Sequence, residues 1–212
     1  MFLIDDNVSE TPWNKIRTTL QKLSDIATKW DQDGVDLAFI NSSAYFSCLS
    51  TTADALAALD KVGPSRSSSA TLSHRLDVLL SKYVALYTRD EFTKPLNLII
   101  ITSGDFVPYD EFEVRVMKWA KELDTMYAPK SQLGLQFVLV GCKGENRKRF
   151  EDLDDEMYKV YGVRYVGTPS LLPFLEALLT GDGGIGIWSM LPATIPMNRI
   201  IKRSLRRLCA VA

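Results

Sequence analysis

The sequence predicts an α/β fold, a three-layer, Rossmann-like, doubly wound and mostly parallel sheet, on three observations. Short apolar runs alternate with helix-period segments along the chain, the pattern of strands joined by covering helices. Two of the runs, NLIIITSG and GLQFVLVG, are near-continuous apolar stretches closed by small residues, as strands buried on both faces must be. The first ten residues, MFLIDDNVSE, read as an apolar strand ending in acids and hydroxyls, and the carboxyl ends of such strands are where an open α/β sheet holds its ligands.

The elements follow in order. Met1 to Asp5 is the first strand. Trp13, Ile16, Leu20, Leu23, Ala27 and Trp30 recur at three- and four-residue spacing and define the first helix, with Thr11 as N-cap and Pro12 at the first helical position. Val35 to Asn41 is a second strand, and Thr52 to Val62 a short helix. The loop Gly63 to Ala70, GPSRSSSA, is too rich in Gly, Pro and Ser to hold a regular element. Its place before the next helix sets its hydroxyls beside the end of the first strand. Leu72, Leu76, Leu79, Tyr83 and Tyr87 then draw the apolar face of a helix. Strands at Leu96 to Thr102 and Leu133 to Val140 flank a helix marked by Phe112, Val116, Ala120 and Leu123. A last helix on Phe150, Leu153, Met157 and Val160 precedes a weak strand at Val163 to Val166.

With 212 residues, 46% of them hydrophobic and 24% charged, the chain supports one substantial core. Residues 1–180 read as one domain. Residues 181–212 carry an apolar Pro/Gly segment and then a basic amphipathic helix, in which Arg199, Lys202, Arg203, Arg206 and Arg207 interleave with Ile200, Ile201, Leu205 and Leu208. Such a helix suits packing on its own domain, an acidic partner groove or an anionic membrane surface. A net charge of -1 provides no field for nucleic acid. Cys48, Cys142 and Cys209 are widely spaced, which fits neither a disulfide framework nor a zinc site. A cytoplasmic setting is the expectation, since no run reaches the roughly 18 to 20 apolar residues of a membrane span.

The stretches FLIDDNVS, DQDGVDLAFIN, VGPSRSSSATLSHRL, KPLNLIIITSGD and LGLQFVLVG together resemble the von Willebrand factor A domain, from Met1 to about Gly167. The likeness is greatest to the short intracellular versions common in fungi. It implies a metal-ion-dependent adhesion site: a DxSxS motif after the first strand, a Thr before the third helix and an Asp after the fourth strand. The motif falls on Asp5, Asn7 and Ser9, so its first Ser is Asn here. The Thr position falls near Ala70, with Ser69 and Thr71 on either side, and the Asp position falls on Ser103. The metal ligands implied are therefore Asp5, Asn7, Ser9, Thr71 and Ser103, for Mg²⁺ or Mn²⁺.

This set is degenerate on physical grounds. Mg²⁺ takes six oxygens at about 2.1 Å and dehydrates reluctantly, so its sites normally supply one or two carboxylates. Asp5 is the one carboxylate in a matched position. Asp6 and Asp105 are neighbours available for recruitment. Taken alone, Asp5 and Ser9 also suit the turn into the first helix as caps.

Catalysis finds little support. His74 is the single histidine and lies opposite Leu72, Leu76 and Leu79, on a solvated helix face. GDGGIG at 181–186 follows a helix rather than a strand, which is the wrong setting for a dinucleotide loop. Cys142 has no nearby base, and the mixed charges of Glu145 to Glu156 suit a solvated face. The expected function is a non-enzymatic protein-interaction module, whose partner meets the loop rim near Asp5, Ser69 and Phe106. The alternatives are a metal-dependent hydrolase or transferase using Asp5, Ser103 and Asp105, or a peripheral membrane or scaffold protein acting through the basic carboxyl-terminal helix.

Overall fold

The computed structural model describes residues 1–31, 33–65, 70–104, 109–129, 131–141 and 185–189. The elements are β1 (Phe2–Ile4), α1 (Glu10–Trp30), β2 (Val35–Phe39), β3 (Tyr45–Leu49), α2 (Thr52–Val62), α3 (Leu72–Arg89), β4 (Leu96–Thr102), α4 (Tyr109–Thr125), β5 (Leu133–Val140) and β6 (Ile185–Ser189). They make an α/β fold on one six-stranded sheet ordered β3-β2-β1-β4-β5-β6. The four inner strands are parallel, and β3 and β6 close the two edges antiparallel.

β1 is short but fully paired, with Leu3 opposite Ala38 on one side and Ile100 on the other. Successive side chains of a strand point to opposite faces, and the core divides accordingly. Leu3, Ala38, Ile100 and Phe137 join Leu72, Leu76, Leu80, Phe112 and Val116 from α3 and α4. Phe2, Ile4, Leu37, Phe39 and Ile101 join Trp13, Ile16, Leu20 and Leu59 from α1 and α2. The apolar spacings in the sequence thus name the buried faces of α1, α3 and α4.

Helix starts follow local chemistry. α2 begins where expected because Thr51 and Asp54 form a capping box: the Asp54 N–H donates to Thr51 Oγ1 at 3.1 Å, and the Thr51 N–H donates to Asp54 Oδ2 at 3.2 Å. α1 begins earlier than Thr11-Pro12 predicts. Ser9 is the N-cap and Pro12 the third helical residue. The Ser9 side chain makes no capping bond, and Pro12, at the third helical position, has no N–H to offer it. Pro12 is tolerated there because the first turn's N–H groups lack intrahelical acceptors anyway.

β3 and β6 were not expected from the sequence. β3 is an edge strand whose residues are exposed or half-buried, so it lacks an apolar run, and its pairing with β2 shifts register between Val35 and Leu37. Gly34, at φ 82°, lies against it so closely that a Cβ would sit 2.7 Å from the Cys48 carbonyl carbon. β6 joins the sheet from within the uncharged stretch Gly183 to Met197, and Gly186 of GDGGIG is part of this strand. The elements expected at Phe150 to Val160, Val163 to Val166 and Arg199 to Leu208 lie outside the described residues. So do Ser69, Asp105, Phe106, Cys142, Cys209 and the run Glu145 to Glu156. Among the described residues no helix is long and apolar enough to cross a membrane.

Phe137 is fully buried and meets Phe112 edge-on, with ring centroids 5.4 Å apart. Phe137→Ala should lower the unfolding free energy by about 3 to 5 kcal/mol, read as a lower urea midpoint. A loss below ~1 kcal/mol would show that β5 does not seat α4.

Candidate functional site

The chain leaves β1 into two consecutive aspartates that are 5% and 1% exposed, Asp5 and Asp6. The position follows from topology. β1 lies between β2 and β4, so the strand order reverses at its carboxyl end and leaves a crevice there.

Asp5 faces the end of β4. Its backbone N–H donates to the Ile101 carbonyl at 2.9 Å. Its Oδ2 accepts from Thr102 Oγ1 at 2.6 Å, and its Oδ1 accepts from the Asn7 N–H at 3.1 Å. The Ser103 N–H is a further donor to this carboxylate. Thr102 Oγ1 in turn accepts from the Gly104 N–H at 3.0 Å, so one hydroxyl joins the loop after β4 to the end of β1.

Asp6 faces the other way. Its Oδ1 accepts from the Asn41 N–H at 2.7 Å and its Oδ2 from the Ser42 N–H at 2.9 Å. These are the residues that turn the chain from β2 to β3. The Asp6 main-chain carbonyl accepts from the Ser65 N–H at 2.6 Å, and Asn41 Oδ1 accepts from the Ala70 N–H at 3.2 Å. One described flank of the loop between α2 and α3 is therefore tied to Asp6 at the end of β1, the side expected for this loop, and the other to Asn41, which is itself bonded to Asp6.

The expected ligand positions fall on two tiers. Asp5 and Ser103 are buried, and Ser103 contributes its backbone N–H to Asp5. Asn7 and Ser9 are exposed. Thr71 is half-buried and caps α3, its Oγ1 accepting from the His74 N–H at 3.2 Å. His74 itself is exposed on the first turn. Sequence reasoning missed Thr102 and Asn41, and it treated Asp6 as a spare ligand. Asp6 is committed: both its oxygens serve the turn after β2.

Burial pushes the Asp5 carboxyl above the ordinary carboxylate range, and the neighbouring charge of Asp6 adds to that. The hydrogen bonds from Thr102, Asn7 and Ser103 pull in the opposite direction without cancelling it. As a metal cradle the donor set fits poorly. Both carboxylates already receive hydrogen bonds at each oxygen, and what remains at the matched positions is neutral. Among the described residues no group of three or more His, Cys, Asp or Glu side chains is placed to hold a metal.

The raised folded-state pKa fixes the sign of a pH effect. The Asp5 carboxyl binds its proton more tightly folded than unfolded, so its contribution favours folding in acid and is lost as pH rises through the folded pKa. Asp5→Asn cannot titrate, and its stability relative to wild type should rise between about pH 4 and pH 7. Parallel urea-unfolding curves across that range would show it, and identical pH slopes for the two proteins would refute it.

No protein-family model, curated protein or solved structure matches the chain.

Proposed function

We propose that the chain is a non-enzymatic protein-interaction module of the von Willebrand factor A type, a three-layer α/β/α domain that meets its partner at the loop rim over the ends of β1 and β4. The observation that carries this reading is the linkage at the crevice. Stretches around residues 5, 70 and 103, far apart in the chain, are joined there by hydrogen bonds through Asp5, Asp6, Thr102 and Asn41. These are the stretches in which the resemblance sets its adhesion site.

The division of the core between α1 with α2 and α3 with α4 supports the layered arrangement. Asp5 is buried and engaged at both oxygens, which suits an anchor better than a general base or a nucleophile needing access to substrate. The exposed side chains at the rim, Asn7, Ser9 and Glu10, offer hydrogen-bonding groups of the kind that surround a protein contact.

A photo-crosslinking residue placed at Asn7 should capture a partner protein in cells. The same residue at Arg89, exposed at the far end of α3, should not. Equal capture at both positions, or none at Asn7, would remove the reading.

A further inference from the structure

A divalent cation organises a crevice by drawing oxygens from several loops toward one positive centre. At the end of β1 the polarity is reversed. The centre is a pair of carboxylates, and the loops contribute donors: the Asn7 N–H, the Ser103 N–H and the Thr102 hydroxyl to Asp5, and the Asn41 and Ser42 N–H groups to Asp6. We infer that Asp5 and Asp6 hold the loops after β1, β2 and β4 in place of a cation, so that the rim is assembled without metal. The comparison with a cation rests on the von Willebrand factor A reading; the ties themselves do not.

Chemistry makes the two arrangements compete. A cation among these donors would face N–H groups carrying partial positive charge. To bind a carboxylate oxygen strongly it would also have to draw that oxygen away from its donors, leaving partly buried backbone N–H groups without these acceptors. Asp6 is the firmer of the two anchors. It holds the turn after β2 with its side chain and the loop after α2 with its carbonyl. Among the donors to Asp5, Thr102 is held in place itself, because accepting from Gly104 fixes its hydroxyl as it donates. Recognition at such a rim does not use an acidic partner residue to complete a metal shell. The partner meets the amide and hydroxyls of Asn7, Ser9 and Thr71.

Amide hydrogen exchange on the full chain tests this, first in EDTA and then with millimolar Mg²⁺ or Mn²⁺. Exchange at Asn7, Asn41, Ser42, Ser103 and Gly104 should be slow in EDTA and unchanged by either cation. Asp6→Ala should speed Asn41 and Ser42 by about tenfold or more, without changing Leu135 in the core, and the cations should not restore protection. Thr102→Val, close in shape, serves if Asp6→Ala does not fold, and is read at Gly104. Cation-dependent slowing at these amides in the wild type would overturn the inference while strengthening the von Willebrand factor A reading. Unchanged exchange in the variants would overturn it and leave that reading to the crosslinking result.

Discussion

β1 is paired on both edges and buried on both faces, through Phe2↔Leu37 and Phe2↔Ile99 and the two pairs that follow on each side. Side chains alternate with a period of two, so a slip of one residue would exchange Leu3 with Phe2 and Ile4 between the two cores. The same slip would displace Asp5 and Asp6 by one position, and neither would keep its own set of donors. The hydrophobic register of three residues thus fixes the polar geometry of the crevice beyond them.

Two adjacent buried carboxylates are costly. The penalty for taking an ion out of water is several kcal/mol even after relaxation, while a hydrogen bond to a charged group returns about 1.5 to 3 kcal/mol net. Two or three donors per carboxylate bring the two sides near balance. For Asp5, where Asp6 adds repulsion, burial outweighs the bonds and holds the carboxyl above the ordinary carboxylate range. Among the described residues no basic side chain pairs with either aspartate. The donors at the crevice are backbone N–H groups and a threonine hydroxyl, held by elements whose own stability comes from the core.

How much of this was readable in the sequence follows from the range of each interaction. β4 and β5 announce themselves because strands buried on both faces need near-continuous apolar runs, and LNLIIIT and LGLQFVLV have them. β3 does not, because an edge strand with exposed residues carries no such pattern. β6, IGIWS, sits in a short uncharged stretch, and it is a strand because distant β5 offers it an edge. Asp5 and Ser103 were legible as strand-end polar residues. The role of Asp6 was not, because its acceptors' partners are the N–H groups of Asn41 and Ser42, and a backbone donor leaves no signature in residue identity. The start of α1 was misplaced by two residues since a proline near a helix start marks the first turn without saying which of its positions it takes.

The two tiers of the crevice bear on the substitutions that set this chain apart from the pattern it resembles. Position 7 holds Asn where that pattern has Ser, yet its tie to Asp5 runs through the backbone N–H, which any residue other than proline supplies. The side chain is exposed and free to serve the rim. Position 103 holds Ser where the pattern has Asp. It is 7% exposed, and it too reaches Asp5 through its backbone N–H. Without a cation to offset it, a carboxylate at 103 would be a third negative charge beside Asp5 and Asp6 in a site that already disfavours the second. A neutral residue at 103 and an anchoring pair at 5 and 6 are therefore two parts of one arrangement.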